Sequence, residues 1–390
     1  MRICLVTRAY AGVTWSDGGG IGIRYASLAR ELVREGHETH VLAGGGRRSS
    51  VVERDGVRIH LLRQLTPRRV WFLEDLPWAL AVARALPRLG RFDVVFAPEW
   101  GGGAWRYARR RSSGPLVTNL TTSLEQMVRI SPGWRRSPAA RAGNLVQLRL
   151  EREQAERSDA VVACSHAILD WARDLWHLEG VPSVVIPNFI DVARARALAD
   201  GPLPDGFPTE GPIVLFSGRL EIRKGTQVLG EAMRLVWTKN SDARLVLVGG
   251  DQLGGMSERL RRLAGPNVNR LHLLGHQPPE RLFPAIAAAD VVALPSLWEA
   301  FGLVALEAMA LGKPCVLTSG SGFEDFFRDG VHGLLVPPGE APALAGAIER
   351  LLGDGDLRRR FGEAAAATAD EYSAVAVTPR YVTYFRELVA

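Results

Sequence analysis

Apolar and polar positions follow two periods along this chain, and the two periods alternate. Short apolar runs that read as buried strands cover residues 2–7, Thr39–Ala43, Val57–Leu62, Asp93–Ala97, Pro115–Leu120, Ala160–Cys164 and Val184–Ile186, with helical patterns between most of them. A second set covers Ile213–Phe216, Arg244–Val248, Val268–Leu273 and Asp290–Leu294. Strands alternating with helices imply parallel sheets covered on both faces, so the fold class is α/β. Between the two sets lies DGPLPDGFPTEGP, residues 200–212, dense in proline and glycine and without a period, which reads as a linker. The 390 residues also exceed one ordinary core. Two doubly wound, Rossmann-like domains are expected, residues 1–199 and 200–372, with residues 373–390 as a terminal helix capped by Thr378 and opened by Pro379.

One predicted helix has no polar face. Between Phe301 and Gly312 the only charged residue is Glu307, among Leu303, Val304, Leu306, Met309 and Leu311. Gly302 precedes this segment and Gly312 and Pro314 end it, predicting a helix of about three turns. A carboxylate in such a setting needs a cation, hydrogen-bond donors or a ligand, because burying it alone costs several kcal/mol. Side chains lean toward a helix N-terminus, so Glu307 would lean over the first turn, where free N–H groups and the dipole favour phosphate. Glu299 stands just before that turn. Five residues of rise, about 7–8 Å, matches a diphosphate with a sugar at each end. The competing reading makes Glu299 a surface residue favoured by the dipole and pairs Glu307 with an internal arginine.

Other candidates sit at predicted strand ends, where open parallel sheets bind ligands. After the first strand come Asp17 and the run Gly18-Gly19-Gly20-Ile21-Gly22, whose spacing is wrong for a dinucleotide fingerprint but whose glycines let backbone N–H groups approach a phosphate or sugar. Glu99–Trp100, Asn119–Thr122, Ser165–His166 and Asn188 end later strands; His166 reads as an acid or base, or else as a cap. After Phe216 comes Gly218-Arg219-Leu220-Glu221-Ile222-Arg223-Lys224-Gly225, where Arg219 supplies a bidentate fork and Lys224 a point charge. Asp354-Gly355-Asp356 has the form of a metal motif, yet falls between two late helices and reads as a charged turn.

The stretch PSLWEAFGLVALEAMALGKP, Pro295–Pro314, resembles the E-x7-E signature of GT4-type retaining glycosyltransferases with the GT-B fold, and G-R-L-x-x-x-K-G at residue 218 resembles a second hallmark of that family. The resemblance implies two domains facing across a cleft, the first binding an acceptor and the second a nucleotide-sugar, with the final helix returning to the first. It implies that Glu299 contacts the transferred sugar, that Arg219 and Lys224 bind the leaving phosphates, and that Glu307 holds the ribose. Donor contacts are further expected from Gly19, Gly20, Ile21, His276, Gln277, Ala300, Phe301, Gly302 and Leu303, and acceptor contacts from Asp17, Glu99, Thr121, Thr122 and His166. Two departures stand out: NLTT replaces a family histidine near Asn119–Thr121, and Asn188-Phe189-Ile190-Asp191 lacks the family's hinge glycine. The reaction implied is metal-independent transfer of a hexosyl-type sugar from a nucleotide-sugar, UDP by family frequency, to a small soluble hydroxylated acceptor, with no cofactor. The rivals are a nucleotide-sugar 2-epimerase of the same fold and a catalytically silent nucleotide-sugar-binding partner protein.

Composition alters this picture little. Residues 1–200 hold 29 arginines against 20 acidic residues and no lysine, whereas the remainder holds 19 basic against 22 acidic residues. Such asymmetry suits nucleic acid, an anionic membrane or an acidic substrate. Arg109–Arg111 and Arg135–Arg136 lack interleaved aromatics, so no nucleic-acid partner is expected, while membrane association stays open. Nothing in the sequence fixes an oligomeric state. Cys4, Cys164 and Cys315 sit in apolar runs without metal-ligand spacing. With no leader-like start and no run of about 18 apolar residues, a cytoplasmic protein is expected.

Overall fold

A computed structural model describes residues 1–14, 19–45, 48–63, 74–130, 138–252 and 254–390. The chain forms two units, Met1–Phe189 with Ala374–Ala390, and Ile190–Ser373. The division therefore falls at residue 189 rather than 199, and the proline-rich segment 200–212 lies wholly inside the second unit. Phe207 and Pro204 are buried there, and Arg281 holds the segment through the Leu203 carbonyl at 3.1 Å and Asp205 at 2.8 Å. One anchored aromatic ring converts a linker-like composition into a packed turn.

The first unit contains an eight-stranded sheet: β1 (Arg2–Val6), β2 (Glu38–Gly44), β3 (Ser50–Arg54), β4 (Val57–Leu62), β5 (Val94–Pro98), β6 (Leu116–Leu120), β7 (Ala160–Ala163) and β8 (Ser183–Val185). Their order is β3-β4-β2-β1-β5-β6-β7-β8, parallel except for β3. The central strands are uninterrupted apolar runs because both faces are covered. Edge strand β3, which the apolar pattern does not reveal, is fully exposed; it is fixed by the Asp55-Gly56 turn, both residues with positive φ (52° and 74°) as a tight hairpin requires. The second unit contains β9 (Ile213–Ser217), β10 (Arg244–Val248), β11 (Leu271–Leu273), β12 (Val291–Leu294), β13 (Cys315–Thr318) and β14 (Gly333–Val336) in the order β11-β10-β9-β12-β13-β14, all parallel. In each sheet the order reverses beside the first strand, between β1 and β5 and between β9 and β12. Ligands bind at such switch points, beyond the carboxyl ends of the strands.

Two expected elements differ. Residues 265–270 form a 3-10 turn, leaving β11 only its last three residues, since Pro266 and the Asn267–Asn269 pair disfavour strand. The last helix runs Ala374–Val389 with Pro379 inside it, not at its start. Ala374, Val377, Thr378 and Tyr381 are buried at helical spacing, and that burial outweighs the hydrogen bond that Pro379 removes. The helix completes the first unit's core: Phe96 of β5 stacks on Tyr25 at 5.5 Å and meets Tyr381 and Phe385 at 5.6 and 5.5 Å. The three cysteines are buried and none forms a disulfide. No helix among the described residues is long and apolar enough to cross a membrane.

Beside β1, His40 and His60 stack with ring nitrogens 2.9 Å apart, and His40 also meets Glu38 at 2.8 Å. Burial, then the charges of His40, Arg58 and Arg2, push His60 down to about 4. An unfolded histidine titrates near 6.5. Between those values the unfolded chain takes up a proton that the native pair refuses, so stability falls as pH falls through this window. Denaturant unfolding from pH 6.5 to 4.5 should show His60→Gln losing about 1–2 kcal/mol less stability than the wild type.

Candidate functional site

In the second unit, β9 and β12 are adjacent and parallel, with Val291 opposite Val214, so the loops that follow them leave the same end of the sheet. The first, Gly218–Gly225, turns at Ile222–Lys224 into the helix Thr226–Lys239; the second, Pro295–Gly302, leads into the helix Leu303–Ala310. The Leu297 N–H donates to the Arg223 carbonyl at 2.8 Å and clips the loops together. Gly225 has φ of 68°, and a Cβ there would run into the Pro295 carbonyl, which is why glycine follows Lys224.

This approach brings charges into a chain. Arg219 Nη2 lies 3.3 Å from Glu221 Oε1, Arg223 Nη2 lies 2.9 Å from the same oxygen, and Arg223 Nη1 lies 3.9 Å from Glu299 Oε2. Lys224 Nζ closes the chain as an ion pair with Glu299 Oε2, and Ser296 Oγ lies 3.4 Å from that oxygen. Exposure rises outward, from 5% for the Arg223 and Glu221 side chains to 37% for Arg219. Burial works to raise the Glu299 carboxyl, but the Lys224 and Arg223 cations outweigh it and hold it below the usual carboxylate range. Three cations against two carboxylates leave one net positive charge, suited to an anionic ligand.

The helix carrying Glu307 has eight residues, a little over two turns rather than three. It starts at Gly302, with φ of 100°, where a Cβ would strike the Phe323 ring. Ala300 and Phe301 are buried, Phe301 packing on Phe326 at 4.8 Å, and Leu303 is half-buried. Among the described residues no cation or donor meets the Glu307 carboxyl, so the internal arginine is not there. Burial alone pushes that carboxyl up to about 7. His276 is exposed, while the Gln277 side chain donates to the Leu274 carbonyl at 2.6 Å. Asp354 caps the helix Gly355–Asp370 by accepting from the Leu357 N–H at 2.8 Å, and no group of metal-ligand type occurs among the described residues.

In the first unit, Gly19, Gly20 and Ile21 open the helix Gly19–Arg34, whereas Asp17 lies outside the described residues. Glu99, at the β1/β5 switch point, is buried and accepts from the Thr121 N–H at 2.7 Å and the Thr121 hydroxyl at 3.1 Å. Burial pushes Glu99 up to about 7 against those hydrogen bonds. Thr122 beside it is half-buried. His166 is the exposed first residue of the helix His166–Leu175; the cap is Ser165, whose hydroxyl accepts from the Ile168 N–H at 3.2 Å.

Sequence reasoning does not single out three buried residues of these loops and helices. Glu221 and Arg223 read there only as part of a basic loop, although alternating charges at one strand end are a signal for a chain of ion pairs. Arg24, buried in the helix after the glycine run, donates to the Asn188 amide oxygen at 2.6 Å and also to the Asn119 amide oxygen. Of the arginine cluster on this unit, Arg109 pairs with Glu153 and Arg111 with Asp159, while Arg135–Arg136 lies outside the described residues.

Residues 204–368 match the family model described as glycosyl transferases group 1, and residues 18–194 match that of glycosyltransferase family 4. A D-inositol 3-phosphate glycosyltransferase from Xylanimonas cellulosilytica is 32% identical over 396 residues, covering 92% of each chain. The chain belongs to glycosyltransferase family 4. A similar protein, a phosphatidyl-myo-inositol mannosyltransferase from Mycolicibacterium smegmatis, is 30% identical over 91% of this chain and 86% of its own. Among solved structures, sucrose-phosphate synthase from Thermosynechococcus elongatus superposes with a TM-score of 0.81 at 24% identity, covering 99% and 98% of the two chains. Anabaena HepE, solved in complex with UDP and glucose, gives 0.73 at 21% identity over 99% of each. The fold of this family 4 enzyme is GT-B.

The charge chain makes a stability prediction for the enzyme without any ligand. Lys224→Met leaves Glu299 with the Ser296 hydroxyl and the more distant Arg223, and should destabilise the second unit by about 2–3 kcal/mol, less than a fully buried pair because Lys224 is 21% exposed. Glu299→Gln alone should destabilise less, and the double variant should recover part of the loss. Urea unfolding of all four proteins measures the coupling, and strict additivity would show that the pair contributes nothing.

Proposed function

We propose that the enzyme transfers a hexosyl-type sugar from a nucleotide-sugar, with UDP as the nucleotide, to a small hydroxylated acceptor, without a metal and with retention at the anomeric carbon. The observation carrying this reading is the coexistence, on consecutive elements, of a cationic chain ending in the Lys224–Glu299 pair and a half-buried carboxyl, Glu307, that meets no protein partner among the described residues. A nucleoside diphosphate answers both needs. Its phosphates meet Arg219, Lys224 and the N-terminus of the helix Leu303–Ala310, and its ribose hydroxyls donate to Glu307.

As the sugar–phosphate bond breaks, negative charge grows on the diphosphate and positive charge on the anomeric carbon. The cations stabilise the first and the Glu299 carboxylate the second. In a front-face attack the acceptor oxygen forms its bond on the side the phosphate leaves, and the departing phosphate takes the acceptor's proton. Retention follows without an enzyme nucleophile. The acceptor falls to the first unit, and D-inositol 3-phosphate, after which the Xylanimonas relative is named, is the first compound to assay.

Thermal shift tests the donor: UDP should raise the melting temperature in EDTA as in magnesium, and a strict magnesium requirement would overturn the metal-free reading. With UDP-glucose alone, slow release of glucose is expected; an epimer would point to the 2-epimerase, and binding without chemistry to a silent partner. Co-flotation with anionic vesicles at physiological salt would move the acceptor to a lipid.

The two carboxylates separate kinetically. Glu307→Gln should weaken UDP and UDP-glucose alike and raise donor KM, as loss of uniform binding does. Glu299→Gln should lower kcat by roughly a hundred- to thousand-fold. Because it also releases Lys224 from its partner, UDP should bind this variant at least as tightly as the wild type. Equal losses of UDP affinity in both variants would remove Glu299 from the sugar.

A further inference from the structure

The run Trp100-Gly101-Gly102-Gly103 follows β5 at the switch point of the first sheet, and the proposed transfer chemistry makes no use of it. Its glycines are obligatory. Gly101 and Gly102 have φ of 73° and 59°, and a Cβ on Gly102 would overlap Leu150. The helix Pro138–Glu156 packs against this loop with a polar stripe, Gln147, Glu151 and Gln154, at spacings of four and three residues, and all three are buried.

The stripe holds strand-end backbone. Glu151 Oε1 accepts from the Gly101 N–H at 2.9 Å and from the Gln147 amide at 2.7 Å, while Oε2 accepts from the Leu124 N–H at 2.8 Å. Gln154 accepts from the Ala104 N–H at 2.7 Å and donates to the Pro98 carbonyl at 3.0 Å. A single carboxyl thus joins the loop after β5, which starts with Glu99, to the loop after β6, which holds Thr121 and Thr122. No cation pairs with Glu151 among the described residues, and burial, with the Glu99 charge added, pushes its carboxyl up to about 8 against its N–H donors. Three donors on two oxygens are all met once the carboxyl is ionised, whereas a glutamine turns its own N–H groups against Gly101 or Leu124 at every pH.

The geometry points to Glu151 as a positioning residue for the acceptor, one that never touches it but, beside the direct Glu99–Thr121 hydrogen bonds, holds together the loops that carry Glu99 and Thr121–Thr122. This inference rests on reading those loops as the acceptor side of the proposed transferase.

The experiment compares wild type, Glu151→Gln, Glu151→Asp and Gln147→Ala, with UDP-glucose as donor and D-inositol 3-phosphate as acceptor. At about pH 9, above the raised Glu151 value of about 8, Glu151→Gln should raise acceptor KM at least tenfold, leaving donor KM and acceptor-free hydrolysis of UDP-glucose within twofold. Gln147→Ala, which removes the donor that Glu151 receives from its own helix and leaves both loop N–H donors in place, should stay near wild type. A merely structural role would lower the melting temperature and leave acceptor KM of the folded enzyme unchanged, and that result overturns the inference. If Glu151→Gln does not fold, Glu151→Asp, too short to reach both loops, takes its place. Hydrogen exchange reads the tie separately: the Gly101 and Leu124 amides should exchange faster together in the variant, and unchanged exchange of either also overturns it. Wild-type enzyme that hydrolyses UDP-glucose but transfers nothing to D-inositol 3-phosphate would count against the acceptor class instead, and exchange then decides on Glu151.

Discussion

A salt bridge that lies mostly out of water, Lys224 to Glu299, governs the second unit. Its two side chains come from different loops, so the pair exists only while β9 and β12 stay neighbours and their loops keep one separation. The surrounding residues enforce that separation. The Leu297 clip, the missing side chain at Gly225 and the Ser296 hydroxyl all act on the same few ångströms. Desolvating such a pair nearly cancels its attraction. It therefore contributes little net stability and much directionality, fixing a carboxylate and an ammonium that a ligand can engage without first ordering them.

Three buried polar groups of the first unit contrast with the charged groups of the second. In the first, Glu99 is satisfied by Thr121, Arg24 by two asparagine oxygens and Glu151 by three N–H donors, so these groups stiffen the framework. In the second, the charges run outward to the partly exposed Arg219, and Glu307 sits half-buried with its carboxyl raised by burial alone. Satisfied polar groups hold a shape, whereas Glu307, which meets no partner among the described residues, is the group the proposed nucleotide would satisfy.

Much of this is legible in the sequence, unevenly and for physical reasons. The β9 and β12 loops can be read because glycine, arginine, lysine and glutamate at fixed spacing have few other uses, and the family resemblance carried by those residues extends to the whole chain. The pairing of Lys224 with Glu299 cannot, since two residues 75 apart in sequence meet only through sheet order. Whether Glu307 has an internal partner is undecidable from sequence for the same reason. Strand β3 escapes the apolar pattern because it buries nothing, although Asp55-Gly56 announces its turn. Pro379 misleads because a local rule for helix starts yields to burial of Ala374 and Val377, and segment 200–212 misleads because composition does not reveal that Phe207 is anchored.

The first unit is built from two stretches of chain that flank the second unit in sequence. Its core aromatic Phe96 is covered by Tyr381 and Phe385, which lie beyond the whole of the second unit in sequence. On a ribosome, residues 190–373 emerge complete while residues 1–189 still lack their final helix. The usual order, N-terminal domain first, is thereby reversed for the finishing step. Until residues 374–390 emerge the growing chain carries an uncovered apolar face, and this helix acts as a lock fitted only after residues 190–373 have been made.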